Sequence, residues 1–311
     1  MSNATKPAHD FGRFDYVKLA PLMGGISVVI MILAVVFLAT KGLNYGIDFS
    51  GGTEMQLRFD KPVDSGDLRT ALEEAGIHNP GVQRFGSDTE FLVRLETPKA
   101  ATEKETNALI KQDIEKIKTT LQAKFGLTEG GVLRVDSVGP QVGSELKKNG
   151  LLAVFYSLLM LLIYIAVRFD YKFAPGAIIC LAHDALVVVG IYALLGKEFN
   201  VQIMAAVLTL IGYSLNDTIV TFDRIRETTP EYRDRGLKFT INKAINDMMS
   251  RTILTAFTTM LAVVSLYLFG GGVIAEISFA LMIGIVFGVY SSIYVAAPLI
   301  LVMEKFKRKT A

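Results

Sequence analysis

The chain has 311 residues, 51% of them hydrophobic and 20% charged, with a formal net charge of +2 and a single cysteine. That balance is too small to argue for a nucleic-acid partner, and no basic patch interleaved with aromatics supports one. One cysteine, Cys180, excludes an intramolecular disulfide, and three histidines (His9, His78 and His183) without metal-ligand spacing argue against a zinc centre or a histidine-based enzyme, so no cofactor is expected.

The charges crowd into a few segments and leave long apolar stretches between them. Met1–Lys18 is mostly polar, and the apolar run after it shows no small-residue cleavage site, so 1–18 reads as a cytoplasmic segment and 19–40 as an uncleaved transmembrane helix. A run of that length spans the ~30 Å of hydrocarbon in a bilayer.

From about Gly51 to Val138 the periodicity changes. Thr53–Phe59 alternates polar and apolar, which predicts a strand. Ser65–Ala75 predicts a helix with Gly76 past its end, and Val82–Phe85 and Phe91–Leu95 predict short strands around a turn at Gly86-Ser-Asp88. Thr102 is placed to cap a second helix, whose apolar stripe is Ile110, Ile114, Ile117 and Leu121. Val132–Val138 is the last strand. The order β-α-β-β-α-β predicts a ferredoxin-like α+β domain over 41–147.

Five more spans are predicted at 151–167, 174–195, 201–222, 252–269 and 273–303, the last with a kink or interfacial end at Pro298. The transmembrane region is thus 148–303, with a loop at 223–251 and a basic tail at 304–311. Basic residues mark one side: Arg168 and Lys172, then Arg224, Arg226, Arg233, Arg235, Lys238 and Lys243, then Lys305, Lys307, Arg308 and Lys309. The positive-inside rule places these loops and both termini in the cytoplasm, and the α+β domain outside.

Polar residues inside the spans are the candidate functional residues. Ser214, Asp217, Thr218 and Thr221 form one helical stripe, widened by Tyr213 and Asn216. An ionised carboxylate at that depth costs at least ~2.5–3.5 kcal/mol unless it finds water or a partner. Asp217 is therefore either a helix–helix hydrogen-bonding residue or a proton-carrying carboxylate. Arg251, at the start of the fifth span, is positioned to point toward it, unless it snorkels to lipid phosphates; Thr252, Thr255 and Thr259 continue its polar face. Asp223 and Arg224 sit at the membrane edge, where surface ion pairing is expected. His183-Asp184 reads first as an interhelical contact and second as part of a proton path. Ala280, Gly284, Gly288 and Ser292 form a small-residue stripe that suits bundle packing or a partner subunit equally.

Several segments resemble a known family. Gly46-Ile-Asp-Phe-Ser-Gly-Gly-Thr53 is similar to a signature of the SecD/SecF family at the same place, and Val138-Gly-Pro-Gln-Val-Gly-Ser-Glu-Leu146 to its second signature. Leu181-Ala-His-Asp184, Gly212–Glu227, Arg251-Thr-Ile-Leu254, Tyr267-Leu-Phe-Gly-Gly271 and Ser291-Ser-Ile-Tyr-Val295 follow in the family's order, in its SecF type. The resemblance implies a bacterial inner-membrane subunit that pairs with SecD in a unit of the resistance-nodulation-division type. Such a unit works beside the SecYEG channel, with other export-complex subunits as further possible partners, and uses the proton motive force to help draw exported unfolded polypeptides outward. It implies that Asp217, with Asn216 and Thr218 in the same motif, is the essential fourth-helix aspartate, and that Arg251 is the essential arginine of the fifth helix. Gly51, Gly52, Gly139 and Gly143 match family glycines and are expected at turns or hinges. Some relatives fuse both halves in one chain; here a complete proton path is expected to need groups from SecD. The rival readings are a passive scaffold of the export complex and a proton-driven small-molecule efflux component.

Overall fold

A computed structural model describes residues 11–96, 103–169 and 173–310. His9, the Thr102 cap, Lys172 and residues 1–10 lie outside the described residues, as do the side chains of Lys305, Lys307, Arg308 and Lys309.

Helix α1 (Tyr16–Thr40) begins at Asp15, whose carboxylate accepts from the Lys18 N–H at 2.9 Å and from Asn242 Nδ2 at 2.7 Å. The first N–H groups of a helix have no intrahelical partner. Here Asn242 Oδ1 takes the Val17 N–H at 3.0 Å, and Asn246 Oδ1 takes those of Arg13 and Phe14. Two asparagines far along the chain thus fix where the first span begins.

After α1 come a two-residue strand β1 (Asn44–Tyr45) and a single-turn helix α2 (Ile47–Ser50). Then follow β2 (Gly52–Arg58), α3 (Ser65–Glu74), β3 (Gly81–Arg84), β4 (Glu90–Leu95), α4 (Glu103–Phe125) and β5 (Val132–Val138). The sheet order is β3-β4-β2-β5, antiparallel throughout. Alternation along β2 sends Met55 and Leu57 to one face, and Phe59 follows them there. On that face they bury against Leu68 and Leu72 of α3 and Ile117 and Leu121 of α4. The opposite face is polar, carrying Glu54, Gln56, Glu90 and Arg94.

Helix α5 (Pro140–Arg168) leaves directly from β5, so the second span's helix starts well before the expected boundary at 148. Pro140 suits a first-turn position because its missing N–H would be unpaired there anyway. The joint is built on close backbone approach. Gly51 has φ +72° and a Cβ there would meet Pro140 Cα at 2.9 Å; a Cβ on Gly143 would meet the Gly51 nitrogen at 2.9 Å. Gly52 has φ +133°, whereas a Cβ on Gly139 would meet nothing within 4 Å.

The rest of the bundle is α6 (Ala174–Leu195), strand β6 (Glu198–Phe199), α7 (Val201–Glu231), α8 (Leu237–Phe269), α9 (Gly272–Ser291), a π turn (Ser292–Ala296) and α10 (Ala297–Thr310). β6 pairs in parallel with β1, joining two distant connections on the side of the sheet domain. Among the described residues six helices are long and apolar enough to cross a membrane, counting α9 through α10 as one. Half of the apolar stretch of α6 and 44% of that of α7 are buried, against 11% for α1, α5 and α8, so α6 and α7 lie inside and the other three outside.

One expectation is corrected here. The stretch 223–251, read as a loop, is helical at both ends: α7 runs on to Glu231, α8 starts at Leu237, and only a short turn separates them. Charged residues end an apolar run without ending a helix, and Pro230 arrives only in the last turn of α7. The last span departs from a regular α-helix in the turn just upstream of Pro298, where a kink was expected. Pro298 has no N–H for the Tyr294 carbonyl and its ring would crowd that oxygen. A wider turn relieves the conflict, and the Ala297 N–H bonds the Ser292 carbonyl in the i→i+5 pattern.

The small-residue stripe lies inside the bundle. A Cβ on Gly284 would collide with Leu210, and Gly288 lies against Ser214, so α9 and α7 approach closely along Ala280, Gly284, Gly288 and Ser292.

Candidate functional site

The polar stripe of α7 divides between two walls. Asp217 is half-buried and faces α8 and the π turn. Its Oδ1 accepts from Thr252 Oγ1 at 2.7 Å and its Oδ2 from Ser292 Oγ at 2.6 Å. Both donors are buried side chains, at 5% and 0% exposure, so the carboxylate is clamped by hydroxyls on two other elements. A polar cavity of about 260 Å³ opens beside it, lined among others by Tyr213, Ser214, Asn216, Thr255 and Thr259.

On the other wall Ser214, Thr218 and Thr221 are buried. Ser214 Oγ donates to Asp184 Oδ2 of α6 at 2.5 Å, and Ser291 Oγ donates to the same oxygen at 2.8 Å. Asp184 Oδ1 lies 2.9 Å from His183 Nδ1. Cys180 Sγ donates to Ser291 at 3.1 Å and lies 3.7 Å from Thr218 Oγ1. The two carboxylates Asp217 and Asp184 therefore lie one on each side of the α7–α9 contact.

The residues singled out from the sequence are only partly brought together. Asn216 is exposed and borders the Asp217 cavity. Thr218 belongs to the Asp184 side. Arg251 immediately precedes Thr252 on α8 but is exposed, and Asp217 takes its hydrogen bonds from Thr252 and Ser292 instead. Asp223 pairs with Arg168 at 3.5 Å and Arg226 at 3.2 Å, while Arg224 bridges α7 to Asp247 of α8 at 2.6 Å. Thr252 and Ser292 were legible only as polar-face and small-stripe residues. The signal for Ser292 is a Ser-Ser pair just upstream of a proline within an apolar span.

A second charged cluster sits at the joint between the sheet and the bundle. Arg94 of β4 pairs with Glu198 of β6 at 2.6 Å, approaches Glu54 of β2 at 3.8 Å, and donates to the Tyr45 carbonyl at 2.7 Å. Burial and the neighbouring Glu198 charge push the Glu54 carboxyl up to about 7, with Arg94 opposing. Burial also pushes Glu198 above the ordinary carboxylate range.

Comparison with known proteins bears on this arrangement. Residues 117–306 match the family described as protein export membrane protein SecD/SecF, C-terminal, and residues 36–63 match the SecD/SecF GG motif. The chain is 42% identical over 303 residues to the protein translocase subunit SecF of Calditerrivibrio nitroreducens, covering 96% of each. It is 41% identical over 297 residues to that of Magnetococcus marinus, covering 96% of this chain and 94% of that one. Among solved structures it resembles SecDF, a translocon-associated membrane protein from Thermus thermophilus, with a TM-score of 0.85 and 35% identity. The match covers 96% of this chain but 40% of the SecDF chain. Against SecDF in its super-membrane-facing form the TM-score is 0.68 at the same identity and coverage.

Proposed function

The chain belongs to the SecD/SecF family of protein-export membrane proteins, and from that premise we propose that it is a proton-coupled subunit that assists polypeptide export. In this reading it pairs with SecD beside the SecYEG channel, with both termini in the cytoplasm. The β-α-β-β-α-β unit is a ferredoxin-like domain on the outer side, where it meets exported unfolded chains.

Asp217 carries the reading. It is a carboxylate within an apolar helical bundle, beside a polar cavity, held by hydroxyl donors rather than by a cation. Hydroxyls can turn to accept as well as donate. Thr252 and Ser292 can therefore follow Asp217 between its ionised and protonated forms, where a lysine or arginine partner would favour only the first. Binding a proton removes a charge from α7 and alters the attraction of α8 and the π turn for it. The membrane potential is a drive of suitable size, ~2.3 kcal/mol per charge per 100 mV. Arg251, beside Thr252, tunes this exchange, and Gly51, Gly52 and Gly143 transmit the helix movement to the outer domain, with Gly139 free to turn beside them.

The test is export in cells whose sole copy carries Asp217→Asn, measured with and without a proton gradient. Loss of the gradient-dependent part, at normal expression and SecD association, is the expected outcome. Unchanged export would instead leave a passive scaffold role.

A further inference from the structure

An apolar cleft of about 700 Å³ runs between α1, α6 and α10, at the end of the bundle away from the sheet domain. Pro21, Gly24, Val28 and Met31 of α1 line it together with Leu299 and Val302 of α10. Its wall on α1 extends from Val17 to Met31, roughly 21 Å at 1.5 Å per residue. One leaflet contributes about 15 Å of hydrocarbon, half of the ~30 Å of a bilayer, so the cleft is long enough to hold an acyl chain from headgroup to midplane.

The cleft is shut at one end and charged at the other. Toward the sheet domain α1 and α6 touch, since a Cβ on Gly190 would collide with Ala34. At the opposite end stands Lys238 of α8, exposed and without an ion pair among the described residues. Lys18, also exposed and unpaired among those residues, lies three residues before Pro21 and so shares its helical face. Other polar groups in the lining are few. Ser27 donates to Tyr290 at 3.0 Å, and Nδ1 of His183 lies 2.9 Å from Asp184. Tyr294 packs its ring on Tyr16, with centroids 6.2 Å apart, and its hydroxyl makes no hydrogen bond among the described residues.

Gly24 is the informative residue. It lies within α1 and lines the cleft, yet a Cβ there would meet nothing within 4 Å. Packing of one helix on another does not account for it; its missing side chain widens the cleft instead. An apolar helix of a partner subunit would leave both lysines without a counter-charge, whereas a phosphate would not. Basic pockets between transmembrane helices on the cytoplasmic side suit anionic lipid headgroups, and tyrosines favour the same level of the membrane.

We propose that this cleft binds one anionic phospholipid. One acyl chain lies along Gly24 and Val28, the headgroup phosphate meets Lys238 and Lys18, and the Tyr294 hydroxyl donates to the ester region. The lipid packs on the π turn through Tyr294 and Val295, and so braces the segment that carries Ser292. The site is independent of the proton-coupled reading; only its assignment to the cytoplasmic leaflet follows from the orientation proposed above.

The test uses the full chain in phosphatidylcholine vesicles with a trace of phosphatidylglycerol that carries a diazirine in its acyl chain. Phosphatidylcholine with the same tail is the control probe, and photolabelled residues are read by peptide mass spectrometry. The expected result is labelling concentrated in 21–31 and 298–302, at least about five-fold stronger with the anionic probe. Lys238→Gln should lower that preference about five-fold, the worth of one lysine beside an anionic headgroup, and adding Lys18→Gln should lower it further. Gly24→Leu should abolish labelling of the cleft by both probes without lowering the unfolding temperature, because leucine suits a helix better than glycine. Labelling that persists in Gly24→Leu would place the chain elsewhere and overturn the site. Equal labelling by the two probes, or a preference that survives loss of both lysines, would reduce the occupant to ordinary surrounding lipid. Labelling that disappears once SecD is added would give the cleft to a partner subunit, and would equally overturn the proposal.

Discussion

Ser291 and Ser292 are adjacent, yet their hydroxyls serve different carboxylates: Ser291 donates to Asp184 at 2.8 Å and Ser292 to Asp217 at 2.6 Å. Successive residues of a helix point ~100° apart, enough to reach opposite sides of α7. The pair sits where α9 gives way to the π turn. A small rotation of that segment would loosen one carboxylate's clamp as it changed the other's. Local π turns in long helices are often found at functional sites, and here the turn has an identifiable origin in Pro298.

Replacing that proline should therefore separate stability from activity. In Pro298→Ala the backbone N–H at 298 returns, and the segment can close to a regular α-helix, a gain of up to ~3 kcal/mol locally. Closing the turn rotates Ser292 away from Asp217. The expected outcome is slower amide exchange over residues 292–298 with unchanged or higher thermal stability, together with reduced gradient-dependent export. Faster exchange there would mean that the proline does not impose the turn.

The Thr252–Asp217 contact can be weighed by a double-mutant cycle with Thr252→Val and Asp217→Asn, read by reversible unfolding in micelles. Interhelical hydrogen bonds in a membrane protein average ~0.6 kcal/mol and reach ~1.7. A carboxylate acceptor strengthens a hydrogen bond roughly twofold, so a coupling of about 1.2 kcal/mol, twice that average, is expected. A value near the average would reduce the contact to ordinary helix-to-helix attachment.

Asp217 was legible because a carboxylate in an apolar run is conspicuous; its partners were not. Serine and threonine are common in membrane helices, where their hydroxyls usually bond the carbonyl four residues back, as Thr255 does here to Arg251. Nothing in the sequence marks Thr252 and Ser292 as different, and the charge on Arg251 draws attention one residue too early. The sheet domain was legible almost residue by residue, since period-two alternation along Thr53–Phe59 survives in the structure. β1 and β6 were not, because two-residue strands carry no periodicity. The helical extensions of α7 and α8 were missed for a related reason: hydropathy reports where lipid ends, not where a helix does.

At the joint, the four signature glycines should not respond alike. Gly51→Ala forces a side chain into φ +72° and within 2.9 Å of Pro140, and Gly143→Ala drives a methyl onto the Gly51 nitrogen. Each should cost about 1–3 kcal/mol, typical of strained backbone positions. Gly139→Ala meets nothing within 4 Å and should be nearly neutral. Limited proteolysis at the joint, alongside thermal unfolding, checks the order; equal effects at Gly51 and Gly139 would contradict the geometry.

The contact between sheet and bundle should tighten in acid. Arg94 is shared by Glu198 and Glu54, and Asp48 adds a third nearby carboxylate, so the docked arrangement carries excess negative charge when all are ionised. Glu54, pushed up to about 7 from 4.5, binds its proton more tightly docked than free. Stability from such a group is complete below the ordinary carboxyl range and is lost as pH rises through the docked value. Amide exchange at Tyr45 and Phe199, corrected for its intrinsic pH dependence, should thus be slower at about pH 5.5 than at about pH 8, on either side of the Glu54 value of about 7. Glu54→Gln should keep the slow exchange at both, because a neutral amide replaces the repelling charge. Arg94→Met should speed it most at the higher pH, where the carboxylates are left without their cation. Equal protection at both pH values in the parent chain would show that Glu54 stays ionised while docked. Helix movement alone, with no proton at the joint, would then have to carry any coupling between bundle and outer domain.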